Sequence, residues 1–261
     1  MPHVAERMNA FVVQTFLKIY TQEYSQKVPA KDSSITSRTK LVTFLELFSK
    51  FKNPKVIQSS VTVYEVFLDL LSKSDSKVQS LAVDCIATWK MSTFNKYQEV
   101  LKALIDDKNF REELTKLTMG ESIPDEEKDS LMPFVIRILL GNMMKRKGKI
   151  SNSSRRVAIL TFLSTLPQNY LLFFLELITK PLKDIGSEEY LTNTTVCLGF
   201  LNLLKDVVHQ LGNNISPYVS TVMDPLLYIA HKSHIQLQVL SISSEEEKEN
   251  EETPPGKEIN K

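Results

Sequence analysis

The stretch Asp75-Ser-Lys-Val78-Gln79-Ser-Leu81-Ala82-Val-Asp-Cys85-Ile86-Ala-Thr-Trp89 decides the fold class. Asp75 is suited to cap a helix, because its carboxylate can accept from the unpaired amides of a first turn. Val78, Leu81, Ala82, Cys85, Ile86 and Trp89 then fall at i, i+3, i+4, i+7, i+8 and i+11. That spacing lays an unbroken apolar stripe along one helical face. A capped helix of this kind must bury its stripe against a neighbouring helix.

The rest of the chain agrees. With 261 residues, 42% of them hydrophobic, it can bury a substantial core. Seven glycines leave little turn material for a many-stranded sheet, so the class is all-α. The net charge of +1 gives no global argument for a nucleic-acid binder or a membrane-surface protein. The two cysteines, Cys85 and Cys197, both lie on apolar stripes, which predicts no disulfide framework and a reducing compartment. Met1 to Arg7 lacks the basic and apolar regions of a secretory signal. The apolar run Tyr170 to Ile178 is interrupted by Glu176 and is far short of the roughly 20 residues a spanning helix needs, so no membrane segment is expected.

Amphipathic segments recur with breaks about every 15 to 25 residues, the rhythm of helical-hairpin repeats. The expected architecture is an α-solenoid of irregular HEAT-like helical hairpins. An N-terminal helix occupies 1–25, and a linker loop rich in Ser and Thr, with Pro29, occupies 26–40. HEAT-like repeats fill 41–117, a loop 118–129, further repeats 130–231 with a basic loop at 141–156, and a disordered acidic tail 232–261. Leu41, Phe44, Leu45 and Phe48 form one predicted face; Ile57, Val61, Tyr64, Leu68 and Leu71 form another after the Asn53-Pro54 break. Ser130 is read as a cap with Pro133 in the first turn behind it. Gly212-Asn213-Asn214 is read as a helix stop, and Pro225 as a kink in a last helix from Ser216 to Ala230.

Chemistry is sparse. The chain has no Gly-rich phosphate loop, no Gly-x-Ser-x-Gly elbow and no paired-cysteine zinc motif, so neither an enzyme, a cofactor nor a small-molecule substrate is expected. His231 and His234 share a helical spacing but have no further ligand nearby in sequence. Asp106, Asp107, Glu112 and Glu113 read better as carboxylates complementing a helix dipole than as an acid/base site. Trp89 continues its own apolar stripe, which favours core packing over stacking on a base. One cluster stands out: Lys145, Arg146, Lys147, Lys149, Arg155 and Arg156 place six cations within twelve residues and no carboxylate among them. Such a cluster can neutralise RNA phosphates. It can also meet an acidic protein surface or an import receptor, or simply solvate a loop.

Three stretches carry a family resemblance. They are Leu70-Leu71-Ser-Lys-Ser-Asp75-Ser-Lys77-Val78-Gln79-Ser-Leu81-Ala82-Val-Asp84-Cys85-Ile86-Ala-Thr-Trp89-Lys90, then Leu104-Ile105-Asp106-Asp107-Lys108-Asn-Phe110-Arg111-Glu112-Glu113-Leu114, then Pro133-Phe-Val-Ile136-Arg137-Ile-Leu139. Together, within Leu41 to Ile229, the chain resembles the down-regulated-in-metastasis family, very large HEAT-repeat nucleolar proteins of the small-subunit processome. The resemblance implies a non-catalytic scaffold in the nucleus and nucleolus, acting in ribosome biogenesis, pre-rRNA processing and 18S rRNA maturation. It implies pre-rRNA, small nucleolar ribonucleoprotein components and processome proteins as partners, and no membrane. Family members are several times longer, so this chain corresponds to a fragment or a short product. The other reading of the residues is a HEAT-type adaptor or transport-receptor-like scaffold that contacts no RNA.

Overall fold

The computed structural model describes residues 2–24, 33–121, 123–145, 152–183 and 194–251. For 22–24, 33–35, 152, 181–183, 194–197, 236 and 239–251 it describes the backbone alone. Among the described residues every regular element is helical. In order they are α1 (Pro2–Arg7), α2 (Asn9–Lys18) with a π-helical extension Ile19–Tyr24, α3 (Ser33–Phe48), a 3-10 turn Pro54–Val56, α4 (Ser60–Leu71), α5 (Ser76–Ala87), α6 (Ser92–Lys96) and α7 (Gln98–Ile105). There follow α8 (Phe110–Met119), α9 (Asp125–Met143), α10 (Asn152–Ser164), α11 (Gln168–Lys183), α12 (Thr194–Leu211), a 3-10 segment Gly212–Tyr218 and α13 (Val219–Glu251).

The helices stack in two rows. Helices α4, α9, α11 and α13 pack in succession in one row, and α3, α5, α7 with α8, α10 and α12 in the other. This is the α-solenoid expected from the stripe periodicity, with the core running as one cluster from Val13 to Ile229 between the rows. Helix α5 starts as its sequence predicts, the Asp75 carboxylate accepting from the amides of Lys77 at 3.0 Å and Val78 at 3.3 Å, and it ends at Ala87, two residues short of Trp89. Val78, Ala82, Cys85 and Ile86 are fully buried. Val83 and Gln79 are fully buried as well, because α5 packs on α3, α4 and α7 at once and so needs more than one apolar face.

Aromatic rings fill the first third of the core. Phe16 meets Phe48 at 4.9 Å and Phe67 at 5.9 Å between centroids, and Phe67 meets Trp89 edge-on at 5.7 Å. Trp89 therefore belongs to the core. Glu6 and Asn9 fasten the first helices onto the 49–59 connection: Glu6 Oε1 accepts from the amides of Lys52 and Asn53, and Asn9 Oδ1 from that of Gln58.

Several predicted boundaries and faces change. The 26–40 linker gives way to helix from Ser33, and Ser37 on it is 4% exposed; tertiary packing overrides the weak helix preference of Ser and Thr. On α4 the buried face is Val63, Val66, Phe67, Leu70 and Leu71, while Val61 is 71% exposed. Both stripes fit a 3.6-residue period, and only the neighbouring helices choose between them. The 118–129 loop shortens, since α8 ends at a left-handed Gly120 and α9 begins at Asp125. Asp125, Glu126 and Glu127 form the first turn of α9, where their charge complements the helix dipole. Pro133 thus lies inside α9 rather than in its first turn. Gly212 has φ +50° but begins a 3-10 segment that runs directly into α13, so it re-aims the helix instead of ending it. Helical backbone continues past Ala230 to Glu251, while the last core residue among those described is Ile229.

Gly141 has a special place. A Cβ there would fall inside contact distance of Gln79 Nε2 and the Lys73 carbonyl, and 3.0 Å from the Leu71 carbonyl. This close approach lets the fully buried Gln79 Nε2 donate to the carbonyls of Leu71, at 2.7 Å, and Ile138, at 3.3 Å. Beside it, Asn142 Nδ2 donates to the Leu104 carbonyl at 2.7 Å. A neutral polar seam thus ties α9 to α4, α5 and α7.

Candidate functional site

The basic cluster is best understood from the turn between α7 and α8. Asp106 shapes that turn locally: its carboxylate accepts from the Lys108 amide at 3.3 Å and from Asn109 Nδ2 at 2.8 Å. Glu112 and Glu113 then occupy the first turn of α8, and Glu112 pairs with Lys116 one turn on, at 2.6 Å. Asp107 has no such local partner. Its carboxylate accepts instead from Arg155 Nη2 at 3.0 Å and meets Lys145 Nζ at 3.4 Å.

The two cations are deeply placed. Arg155 is 1% exposed and Lys145 is 5% exposed. Lys145 Nζ also donates to the Ile105 carbonyl at 2.9 Å. Burial pushes the Lys145 ammonium below the ordinary lysine pKa, and Asp107 opposes that shift only in part. The Arg155 guanidinium stands over the Phe110 ring at 5.7 Å, while its Nε and Nη1 have no acceptor among the described residues. Arg111 Nη2 donates to Ser154 Oγ at 2.8 Å, a second tie between α8 and α10. Arg156 reaches the other way: Nε donates to the Met143 carbonyl at 3.1 Å and Nη1 pairs with Asp206 of α12 at 2.8 Å.

The six cations singled out in the sequence therefore divide. Lys145, Arg155 and Arg156 are internal fasteners joining α7, α8, α9, α10 and α12, whereas Arg146, Lys147 and Lys149 lie outside the described residues. A run of charge along the chain hides this, since the carboxylate partners stand 38, 48 and 50 positions away. In the sequence Asp107 groups with Asp106, Glu112 and Glu113 as carboxylates complementing a helix dipole, so it carries no signal of this role. Among the described residues the two ends of the basic loop read over 141–156 are helical, because α9 continues to Met143 and α10 begins at Asn152.

Other candidates resolve simply. Cys85 is a buried free thiol whose pKa burial pushes well above the ordinary value; the Cys197 side chain lies outside the described ones. Among the described residues no three His, Cys, Asp or Glu side chains gather as a metal site, and no helix is long and apolar enough to cross a membrane.

Fold and site together define a class: a helical-repeat solenoid whose polar clusters are devices for joining successive repeats. Residues 35–260 match the family model described as U3 small nucleolar RNA-associated protein 20, N-terminal, and the chain belongs to that family. It is 28% identical over 245 residues to U3 small nucleolar RNA-associated protein 20 of Saccharomyces cerevisiae, covering 87% of this chain and 10% of that protein. It is 28% identical over 212 residues to the protein of the same name from Schizosaccharomyces pombe, covering 74% of this chain and 8% of that protein. The chain thus spans about a tenth of the length of these relatives. The resemblance read from the three motif stretches is borne out.

Proposed function

We propose that this chain is a non-catalytic scaffold segment of the small-subunit processome, supporting pre-rRNA processing and 18S rRNA maturation in the nucleolus. The observation that carries the reading is family membership across residues 35–260, among relatives whose name ties them to the U3 small nucleolar RNA. The two-row helical stack suits a role in which a long surface organises partners, here pre-rRNA, small nucleolar ribonucleoprotein components and processome proteins.

Within that role the RNA-contacting cations are Arg146, Lys147 and Lys149. Their neighbours Lys145, Arg155 and Arg156 act as positioning residues, since each already has a protein acceptor. The test is crosslinking and RNA sequencing in cells with the wild-type chain and the R146Q/K147Q/K149Q variant, with salt-dependent binding to single-stranded pre-rRNA measured in parallel. The expected result is loss of crosslinks to the 5′ region of the pre-rRNA and a slope of log affinity against log salt shallower by about 2. Wild-type crosslinks and slope in the variant would remove these three cations from the site. A stable wild-type protein without crosslinks would overturn the RNA-contacting role and leave an adaptor that binds proteins only.

A further inference from the structure

Arg137 sits in the Pro133-Phe-Val-Ile136-Arg137-Ile-Leu139 stretch, yet neither the core nor the basic cluster employs its charge. Its guanidinium lies over the Phe173 ring of α11, 5.3 Å from the centroid, and the residue is half-buried. None of its N–H groups has an acceptor within hydrogen-bonding distance among the described residues. Burial pushes its pKa down, opposed by the nearby Asp69 and Tyr64. An arginine held over an aromatic ring without a hydrogen-bond acceptor keeps its planar fork of donors available for a bidentate acceptor.

The surroundings are apolar. Tyr64 and Leu68 of α4, Met91, Phe134 of α9, and Phe173 and Leu177 of α11 are all partly buried and packed against the core. The aromatic members are held firmly: Tyr64 packs on Trp89 at 5.3 Å and Phe134 on Phe94 at 4.7 Å. Aromatic side chains, a methionine and a single arginine, with few other charges, make the composition of an interface core. A rigid platform around one desolvated arginine is also the usual setting of a binding hot spot.

We propose that the α4–α9–α11 face is a protein-docking surface anchored by Arg137, and that its partner presents one Asp or Glu carboxylate flanked by apolar side chains. Charge complementarity chooses this partner. One unpaired guanidinium matches one carboxylate, whereas an RNA strand is held by several cations along its phosphates. Asp69, close enough to act on Arg137, is itself hydrogen-bonded by Tyr20 and paired with Lys73 at 2.8 Å, which leaves the guanidinium donors for the partner's carboxylate. This surface uses none of Lys145, Arg155 and Arg156 and does not rest on the RNA contact proposed for Arg146, Lys147 and Lys149.

The test uses a displayed library of randomised 12-residue peptides, selected on the 261-residue chain and counter-selected on R137Q, with winners resynthesised for fluorescence anisotropy. Enriched peptides should share an acidic residue between apolar ones and should bind R137Q at least about tenfold more weakly. Replacing that acidic residue by its amide should cost a similar factor in the wild type and nothing further in R137Q. R137K keeps the charge and the aliphatic stem but not the fork; it should melt with the wild type and still weaken the same peptides, so the result stands even if R137Q folds poorly. No enrichment over counter-selection, winners without an acidic residue, or loss of oligouridine binding in R137Q would each overturn the proposal.

Discussion

Two joints in this solenoid connect the same kinds of helices by opposite chemistry. Where α9 meets α4 and α5, Gln79 and Gly141 make a neutral seam: an amide bridges two backbone carbonyls across a contact so close that the facing residue has no side chain. Where α7 and α8 meet α9 and α10, the joint is ionic, with Lys145 and Arg155 converging on Asp107. The neutral seam depends on shape, and any added volume is an error. The ionic knot depends on matched charge, because burying two cations against one carboxylate is tolerable only while that carboxylate is present.

The largest effect should come from breaking the neutral seam. Gly141→Ala drives a methyl group into two carbonyls and the Gln79 amide, and a backbone carbonyl cannot move aside as a flexible side chain would. A loss of about 3 kcal/mol is expected in urea unfolding followed by circular dichroism. Stability within error of the wild type would mean that α9 can shift along α5, and the contrast with the ionic joint would fail.

A smaller loss should follow from breaking the ionic joint. Asp107→Asn leaves Arg155 and Lys145 buried without a counter-charge, but Asp107 is itself 29% exposed, so solvent softens the penalty to about 2 kcal/mol. The combined D107L/K145M/R155M variant removes all three charges with little change in volume and should regain most of that loss. Failure to regain it would show that the hydrogen bond to the Ile105 carbonyl, rather than charge balance, holds the joint.

The smallest effect belongs to Asp75, which sharpens the comparison by isolating an exposed ion pair. Burial alone would raise the Asp75 pKa, but hydrogen bonds from Arg38 and from the Val78 and Lys77 amides outweigh it and hold it below the ordinary 3.8. A carboxyl with a depressed folded pKa adds stability above its unfolded value, and that stability is lost as pH falls through the folded one. Asp75→Asn keeps a capping acceptor but loses the charge, so at pH 7 it should cost only about 0.5 kcal/mol. The difference from wild type should narrow below about pH 4. A difference that persists at pH 2 would assign the effect to the cap and not to the charge.

How much of this was legible depends on the range over which each feature acts. The α5 helix was readable because its cap and stripe are local: Asp75 reaches amides two and three residues ahead, and Val78, Ala82, Cys85 and Ile86 are buried as their spacing requires. The α4 face was not, because Val63 and Phe67 follow the same period as Val61 and Tyr64, and the choice is made by α5 and α9. Pro133 misled for a related reason. A proline suggests a first turn, yet the acidic Asp125-Glu126-Glu127 had already begun the helix two turns earlier.

The candidate site shows the same division. Sequence alone identified an all-α repeat chain, its family motifs, and the concentration of cations from Lys145 to Arg156, since composition, periodicity and local charge are properties of neighbouring residues. Only the tertiary structure decided that Lys145, Arg155 and Arg156 are fasteners, that Gly141 is a point of contact, and that the Arg137 guanidinium stands over a ring with no acceptor among the described residues. Each of those outcomes is set by a partner 36 to 70 residues away or by the lack of one among the described residues, and a polar side chain's role follows from whether folding brings it an acceptor.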